Sequence, residues 1–373
     1  MDARFTDEQE LLRASARELL ARECPIARVR AAIDDPHDSF DTLWERWREA
    51  GHLALPFAED VGGAGLGMIE LVVLLEELGR ALAPASYLAS VVLGGGAIDA
   101  AGDAAQRLRW LPGIASGTTR AALAWLEEVE RWDAEAVQLR ATPSADGFRL
   151  TGTKRFVLEA QAADLLVVAL RTETGVALGV IDAREPGVAV EPVVLVDATR
   201  RFAHVQLDGV TLARDALLPG GSVALARVLD RARVALCADA IGSAERALEL
   251  AVGFARAREQ FGRPIGSFQA IQHQCADMLV ALESAKSATW AAAWALEENE
   301  PDAALAAAIA KAVASDAAAR IAGQAIQIHG GLGFTWEHDL HLHFKRAKAS
   351  ERLFGDAAWN REVVARALVD GAS

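Results

Sequence analysis

The chain has 373 residues, 52% of them hydrophobic, so its composition excludes a disordered protein and allows two or three domains. Its formal net charge of −14 argues against nucleic acid and anionic membranes as partners. The three widely spaced cysteines, the polar first residues without a secretory signal and the lack of an apolar run of membrane-spanning length predict a cytoplasmic protein without disulfides or a metal site.

Residues 1–119 are predicted to form an α-helical domain. Thr6 and Gln9 have the spacing of a capping box, and leucines follow them at helical intervals. A second helix is predicted to begin near Asp41, and another occupies 68–79 after a glycine-rich loop at 59–67.

Residues 120–218 change character and are predicted to form a small β domain. The short apolar runs at 165–170 and 176–181 have the length of buried strands. Asp-Gly and Pro-Gly pairs at 146–147, 186–187 and 208–209 are typical of turns between strands.

Residues 219–373 return to a helical period and are predicted to form a bundle of four long helices. The clearest pattern alternates spacings of three and four over about eight turns. Its members are Phe268, Ile271, Cys275, Met278, Leu282, Ala285, Thr289, Ala292 and Leu296. A break at 299–302 separates this helix from the next.

The segment 254–278 carries the first functional motif, with Arg258, Phe261 and Gln269 around a Gly-Arg-Pro turn. Glycine and proline alone fit a simple connection between two helices. An arginine at a helix end can also bind a pyrophosphate through two hydrogen bonds, and an aromatic residue after it can pack on the face of an adenine ring.

The second motif is 327–337, with Gln327, His329, Gly330 and Gly331. Two glycines after a helix can be a plain C-terminal cap, but they also let the backbone approach a phosphate-bearing ligand. His329 by itself is more typical of a hydrogen-bonded core histidine than of a ligand. A third motif, the glycine-rich loop at 59–67, is weak alone.

Together and in this order, the three motifs resemble the acyl-CoA dehydrogenase family over nearly the whole chain. The resemblance implies an α+β fold with an N-terminal α-helical domain, a middle β-barrel domain and a C-terminal four-helix bundle. It also implies FAD, an acyl-CoA substrate and an electron-transferring flavoprotein as partner. In that family a glutamate removes the α-proton, a β-hydride goes to the flavin, and the motif residues reach the ADP part of a neighbouring subunit's FAD.

The sequence departs from the family at both positions where members carry the catalytic glutamate. The usual Glu-Gly-Thr segment corresponds to Phe354, Gly355 and Asp356, and the alternative position on the first helix of the bundle corresponds to Ala232. Glu351 lies three residues from the first position and is predicted to face elsewhere on a helix. No catalytic residue is therefore predicted on this chain.

The segments that hold the flavin ring in the family also differ. The family's Thr-Glu-Pro loop corresponds to 126–133, where Leu126 and Trp132 replace the hydroxyl residues. The Trp-Ile-Thr/Ser segment corresponds to 156–158, which reads Phe-Val-Leu. Leucine cannot donate a side-chain hydrogen bond, and Trp132 could occupy the ring's space.

This pattern resembles the non-catalytic chain of heteromeric acyl-CoA dehydrogenases, such as the two-chain enzymes that act on steroid side chains in actinobacteria. The leading hypothesis is a companion subunit that contacts FAD shared with a partner chain in a dimer or tetramer. Two alternatives stay open: a homomeric flavoenzyme with a non-standard base such as Glu351, and a flavin-free acyl-CoA-binding or scaffold protein. The predicted cofactor contacts are Arg258, Phe261, Gln269, Gln327, His329, Gly330 and Gly331.

Overall fold

The computed structural model of the chain describes residues 5–35, 38, 40–127 and 131–370. A helical region, a region of two β-sheets and a second helical region follow one another along these residues. This order confirms the predicted fold class. No helix formed by the described residues is long and apolar enough to cross a membrane.

The elements are numbered here in chain order. The N-terminal helices are α1 (Asp7–Glu23), α2 (Ile26–Asp34), α3 (Asp41–Glu49), α4 (Met68–Arg80), α5 (Gly96–Ala101) and α6 (Ala104–Ala115). The middle strands are β1 (Ala121–Ala124), β2 (Ala141–Ser144), β3 (Gly147–Leu158), β4 (Leu165–Thr172), β5 (Gly175–Asp182), β6 (Val188–Val193), β7 (Phe202–Ala213) and β8 (Leu217–Leu218). The C-terminal elements are α7 (Gly221–Ala257), β9 (Glu259–Gln260), β10 (Arg263–Pro264), α8 (Gln269–Glu297), α9 (Ala303–His329), α10 (Gly331–Phe334), α11 (Leu340–Arg352) and α12 (Ala357–Asp370).

The chain divides into two compact units that do not follow the sequence order. One comprises residues 1–35, 68–83 and 233–373, and the other comprises 36–67 and 84–232. The predicted domain boundaries at 119 and 218 stay a prediction.

The unit with the strands contains two four-stranded sheets, ordered β1-β4-β5-β8 and β2-β3-β7-β6. Alternate side chains of both sheets, including Leu150, Leu166, Leu170, Val205 and Leu212, form one hydrophobic core. The apolar runs predicted as strands lie in β4 and β5, which pair antiparallel along their whole length.

One predicted turn is wrong. Asp208 and Gly209 do not connect two strands but lie inside β7. The register with β3 shifts there, and Gly209 takes a φ of 64°, so the pair forms a bulge that a glycine permits. The Gly209 N–H donates to the Thr151 hydroxyl at 3.1 Å, which satisfies the displaced backbone group.

The helical unit is held together by close contacts between α4 and α7. A Cβ on Gly79 would lie 1.9 Å from the Asp239 carbonyl oxygen, and one on Gly242 would lie 1.8 Å from the Glu76 carbonyl oxygen. The two backbones therefore touch where no other residue type fits. Nearby, Arg346 is buried and forks the Asp239 carboxylate at 3.0 and 2.5 Å.

The apolar seam predicted on α8 is buried only along its C-terminal part. From Met278 to Ala292 the seam residues are buried, whereas Leu296 is only partly buried, and α9, α11 and α12 complete the bundle. Phe268, Ile271 and Cys275 belong to the same stripe, but they are only partly buried. The periodicity predicts which face is apolar, whereas burial depends on how far the neighbouring helices extend.

Candidate functional site

The turn between α7 and α8 is a short β-hairpin. β9 and β10 pair antiparallel, and the Ile265 N–H donates to the Arg258 carbonyl at 2.8 Å to close it. Phe261 and Gly262 occupy the two turn positions with φ of 55° and 75°. Positive φ at both central residues is the geometry of a tight hairpin turn, but for phenylalanine it costs about 1–2 kcal/mol. The hairpin therefore holds a bulky aromatic residue at its tip against the local conformational preference.

The side chains of this hairpin form an ordered aromatic group. The Phe261 and Phe268 rings meet edge to face with centroids 6.1 Å apart, and the Arg263 guanidinium lies 4.1 Å above the Phe268 ring. Phe261 is nonetheless 92% exposed. A ring of this size exposed at a conformationally costly position is typical of a binding surface.

The hairpin belongs to a longer projecting segment, residues 256–277, which we name the arm. Every residue of the arm is at least partly exposed, although its fold includes helix, hairpin and helix. Arg258 and Gln269 are both exposed in the arm. The arm also carries Arg256 and Arg263, so its three arginines outnumber its two carboxylates, Glu259 and Asp277, on a chain that is acidic overall.

The second motif lies at the end of α9 and forms what we name the Gly-Gly loop, residues 330–336. Gln327 is exposed on the last turn of α9, and Gly330 follows with φ 60° and ψ −136°, a conformation open essentially to glycine alone. No atom lies within 4 Å of where a Cβ on Gly330 or Gly331 would be. The loop backbone is therefore open to a ligand approaching from outside the chain.

His329 is the buried member of this motif. Its Nδ1 donates to the Ala325 carbonyl at 2.8 Å, and its ring stacks on Phe254 with centroids 4.2 Å apart and a 24° interplanar angle. The His338 ring lies 4.5 Å away on another side. Burial, and then repulsion from His338, lowers the pKa of His329, while the bond to Ala325 acts in the opposite direction. This geometry fits the hydrogen-bonded core histidine, and a direct cofactor contact stays a prediction.

The two positions for a catalytic base are both buried and apolar. Phe354 takes a φ of 58°, its ring is buried, and its carbonyl accepts a hydrogen bond from Arg233 Nε at 3.1 Å. The Arg233 guanidinium also lies 4.9 Å from the Trp359 ring, so both of these Arg233 contacts are within the fold. Ala232 is fully buried within α7. Neither position offers a group that can accept a proton.

The backbone around Phe354 is held by donors from several helices. Lys311, fully buried on α9, donates to the carbonyls of Ser350 and Glu351 at 3.0 and 3.2 Å. Burial lowers the pKa of Lys311 to about 8. Asn360 of α12 donates to the carbonyls of Gly355 and Asp356. The segment that carries the base in the family thus keeps a defined backbone here without a carboxylate.

Glu351 does not point its charge toward that position. Its carboxylate pairs with Lys348, three residues earlier on the exposed side of α11. Its backbone carbonyl, rather than its side chain, takes part in the buried contacts described above. The Asp356 carboxylate caps α12 by accepting from the Trp359 N–H at 2.9 Å and pairs with Arg352 at 3.0 Å.

The first ring-side segment, residues 126–133, is packed by its own side chains. Leu126 is buried, and the Trp125 and Trp132 rings meet with centroids 5.9 Å apart. Lys154 is fully buried and its Nζ donates to the Trp125 carbonyl at 3.2 Å and the Glu127 carboxylate at 2.6 Å. Glu128, Val129 and Glu130 of this segment lie outside the described residues.

Glu127 ties the same segment to the strands. Its two carboxylate oxygens accept from the backbone N–H groups of Gln138 and Leu139 at 2.9 and 2.8 Å. Because the carboxylate is satisfied by two backbone donors and an ammonium, it is a structural anchor. Burial, partly offset by Glu127, lowers the pKa of Lys154 to about 8.

The second ring-side segment, residues 156–158, presents no hydroxyl. Phe156 takes a φ of 50°, and its ring meets His204 edge to face at 5.2 Å. Val157 and Leu158 are buried. The side chains at 126 and 156–158 therefore cannot make the hydrogen bonds that the family makes to an isoalloxazine, so these segments do not fit the flavin ring in that way.

The early glycine-rich loop has a structural explanation. A Cβ on Gly63 would lie 1.9 Å from the Phe57 carbonyl oxygen, and the Gly65 N–H donates to that same oxygen at 2.8 Å.

Among the described residues, no group of three or more His, Cys, Asp or Glu is placed to hold a metal ion.

Sequence reasoning missed α2 and two buried or half-buried cations. Arg30 of α2 donates from Nε and Nη2 to the same Asp339 Oδ1, at 2.9 and 2.7 Å, and from Nη1 to the Trp336 carbonyl, which fixes the exit of the Gly-Gly loop. Lys311 could have been found as a lone lysine on the alanine-rich face of α9, at helical spacing from Ala307, Ala314 and Ala318. Arg30 left no such signal, because its partner lies about 300 residues away in the sequence.

Comparison with known proteins assigns both helical regions. The model of the acyl-CoA dehydrogenase N-terminal domain matches residues 6–118, and that of the acyl-CoA dehydrogenase C-terminal domain matches 219–369. The chain is 34% identical over 361 residues to the acyl-CoA dehydrogenase IpdE2 of Mycobacterium tuberculosis, which covers 96% of each chain.

Solved structures agree with these matches. A chain of the Tcur3481-Tcur3483 steroid ACAD, solved as a variant, superposes with a TM-score of 0.90 at 34% identity, covering 98% of this chain and 99% of that one. A chain of the ChsE4-ChsE5 complex from Mycobacterium tuberculosis superposes with a TM-score of 0.92 at 29% identity, covering 99% of each.

Proposed function

Because this chain belongs to the acyl-CoA dehydrogenase family of FAD-dependent oxidoreductases, we propose that it is the companion subunit of a heteromeric member. In this proposal a partner dehydrogenase chain supplies the catalytic glutamate and holds the flavin ring. This chain supplies contacts to the ADP half of the same FAD. The assembly desaturates an acyl-CoA thioester at its α and β carbons.

The observation that carries the proposal is the exposed arm with Phe261 at its tip. Phe261 has an unfavourable positive φ, yet its ring is almost fully exposed. A segment that is ordered without a core of its own gains its packing when a second chain covers it. The basic hairpin adds charge complementarity to a pyrophosphate.

The contrast with the ring-side segments supports the same proposal. Leu126 and 156–158 lack the donors that an isoalloxazine needs, and their backbone is tied by internal contacts. A subunit with its own complete flavin site would retain donors there. Phe354 and Ala232 extend the argument to the base, since neither carries a proton acceptor.

The proposed contacts follow the motif positions. Arg258 binds the pyrophosphate, Phe261 packs against the adenine, and Gln269 and Gln327 hydrogen-bond the ADP portion. Gly330 and Gly331 bring the backbone to the phosphates, and His329 supports them. A bound flavin supplies the acceptor for the hydride that leaves the β carbon.

The similarity to a chain of the ChsE4-ChsE5 complex adds a precedent for two different chains in one assembly. We extend the proposal to a steroid or other large acyl-CoA substrate because a second structural relative is described as a steroid ACAD. The proposal also includes a cytoplasmic location and an electron-transferring flavoprotein that reoxidises the assembly.

The test measures flavin in the chain alone and in a complex. The full chain is purified by itself and also co-expressed with a partner acyl-CoA dehydrogenase chain that carries the catalytic glutamate, and the absorbance near 450 nm is compared with protein content. We expect little flavin and no acyl-CoA turnover for the lone chain, and one FAD per heterodimer for the complex. Stoichiometric FAD and acyl-CoA turnover in the lone chain would contradict the proposal.

A further inference from the structure

The two surfaces assigned to the ADP half of the flavin come from distant parts of the sequence and meet inside the chain. Arg258 follows Phe254 by one helical turn, and its N–H donates to the Phe254 carbonyl at 2.8 Å. Gly330 directly follows His329. Phe254 and His329 are the residues whose rings stack, with centroids 4.2 Å apart.

We propose that Phe254 and His329 are positioning residues, which set the placement of the arm hairpin relative to the Gly-Gly loop. This inference rests on the proposed function and deepens it. Phe254 is not among the predicted cofactor contacts, and the positioning role of His329 does not require the direct contact predicted for it. Phe254 acts through Arg258, four residues later in the chain, and His329 acts through Gly330, the next residue.

His329 is held on several sides, so its ring can transmit position. Its Nδ1–H is bonded to Ala325 within α9, which fixes the ring's orientation to its own helix. The His338 ring packs on it at 4.5 Å, and a Cβ on Gly333 would lie 3.1 Å from the His329 Cβ. The ring is therefore locked to α9 and to the returning loop, and its stack with Phe254 adds α7 to the same group.

The neighbouring contacts leave the loop little other freedom. The Gly333 N–H donates to the Gly330 carbonyl at 3.1 Å, and Arg30 fixes the loop exit through Asp339 and the Trp336 carbonyl. No residue of the arm is buried, and the buried residues on either side of it are Ala255 and Met278. Its base, at Phe254, is where the placement of the hairpin relative to the Gly-Gly loop is decided.

The experiment measures amide hydrogen exchange across the stack in the full chain without flavin. We expect His329→Leu to speed exchange about tenfold in residues 258–265, and Phe254→Leu to do the same in 330–334, because each removes one ring of the pair. His329→Phe keeps a ring and should restore protection in the arm. Changes confined to the mutated side would overturn the proposal.

A matched control separates positioning from general stability. His343 is also a buried histidine of this unit and bonds Ser243 at 2.9 Å, but it has no stack with Phe254. His343→Leu should leave exchange in the arm unchanged even where it lowers the melting temperature. If it speeds exchange in the arm as much as His329→Leu does, the proposal fails.

A second readout uses FAD retention in the co-expressed complex. His329→Leu should lower the affinity of the complex for FAD about tenfold, and His329→Phe should recover most of that loss. Retention that does not differ between His329→Leu and His343→Leu would overturn the positioning role. The proposed function fails by a different result, namely unchanged FAD retention in Arg258→Ala.

Discussion

The arm and the ring-side segments contain similar residues, but these residues are exposed in the arm and packed in the ring-side segments. Both contain aromatic side chains at positive φ, Phe261 in the arm and Phe156 beside the strands. Phe261 is left exposed at a hairpin tip, whereas Phe156 packs against His204 and is followed by buried residues. The difference teaches that an aromatic residue in a motif position indicates binding only where the surrounding chain leaves its surface uncovered.

The same contrast holds for the charged groups. Lys154 is enclosed and satisfied by Glu127 and a carbonyl, so its charge serves the fold. Arg258 is exposed on the basic hairpin and is free to move toward an anion without a desolvation cost inside the chain. The predictions below test whether the two regions differ in this way, from the largest expected effect to the smallest.

Lys154→Met should destabilise the unit with the strands by about 3 kcal/mol, because the partly buried Glu127 carboxylate and the Trp125 carbonyl lose a charged donor. Chemical denaturation followed by tryptophan fluorescence measures the change. FAD bound per folded complex should not change, since the segment is not a flavin site. Arg184→Met, which removes an exposed arginine paired with Asp164, is the control and should cost well under 1 kcal/mol. Loss of flavin from folded Lys154→Met complexes would show that the ring-side segments bind it.

Arg258→Ala should weaken FAD binding by the co-expressed complex by about 2–3 kcal/mol, or roughly 30- to 150-fold, because hydrogen bonds between charged groups are lost. Equilibrium dialysis against FAD gives the affinity. Arg256→Ala changes the same charge two residues earlier on the arm and should have a much smaller effect. Equal losses for the two variants would mean that the arm contributes general charge and no specific contact.

Lowering the pH from 7 to 5 should reduce the stability that each unit gains from its buried, uncharged histidines. Burial lowers the pKa of His343 to about 3, and it also lowers the pKa of His329, His338 and His341. Below about pH 6.5 these histidines take up protons in the unfolded chain but not in the folded chain. The free energy of unfolding therefore decreases as the pH is lowered, by about 2 kcal/mol at pH 5 for His343 alone.

Hydrogen exchange at pH 7 and pH 5, corrected for intrinsic rates, measures this difference unit by unit. In the unit with the strands, burial lowers the pKa of His52 to about 4, so a loss of similar size is expected from that histidine. In the helical unit, burial raises the pKa of Glu76 to about 7, so protonation of Glu76 as the pH falls opposes the loss from the histidines. His343→Leu should flatten the pH dependence of the helical unit. An unchanged pH dependence in His343→Leu would contradict the prediction.

Glu351→Gln should leave acyl-CoA turnover of the complex unchanged, because the Glu351 carboxylate pairs with Lys348. Steady-state rates with an artificial electron acceptor provide the measurement, and Glu362→Gln, on exposed α12, is a suitable control. A loss of about 100-fold or more would identify Glu351 as the base and favour a homomeric flavoenzyme.

Local signals predicted much of the fold. Thr6 and Gln9 do form the capping box, with both reciprocal bonds present, and a helix does begin at Asp41. β4 and β5 contain the two apolar runs. These features depend on residues a few positions apart, so a sequence pattern suffices to predict them.

Features that depend on distant residues escaped prediction. The Asp208-Gly209 pair has the composition of a turn, but pairing with β3 on both sides makes it a bulge. α2 has a weak pattern and is held to the loop after α9 by Arg30. The enclosure of Lys311 by the carbonyls of α11 likewise depends on residues about 40 positions away.

The sequence by itself determined the order of helical and sheet regions, the family motifs at Arg258 and Gly330, and the absence of a carboxylate at Phe354 and Ala232. These follow from residue identity and short-range periodicity. Only the tertiary structure decided that Phe261 stays exposed, that the ring-side segments are closed by Lys154 and Glu127, and that His329 stacks on Phe254. Burial and stacking depend on which distant segments the fold brings together, and no local pattern encodes that.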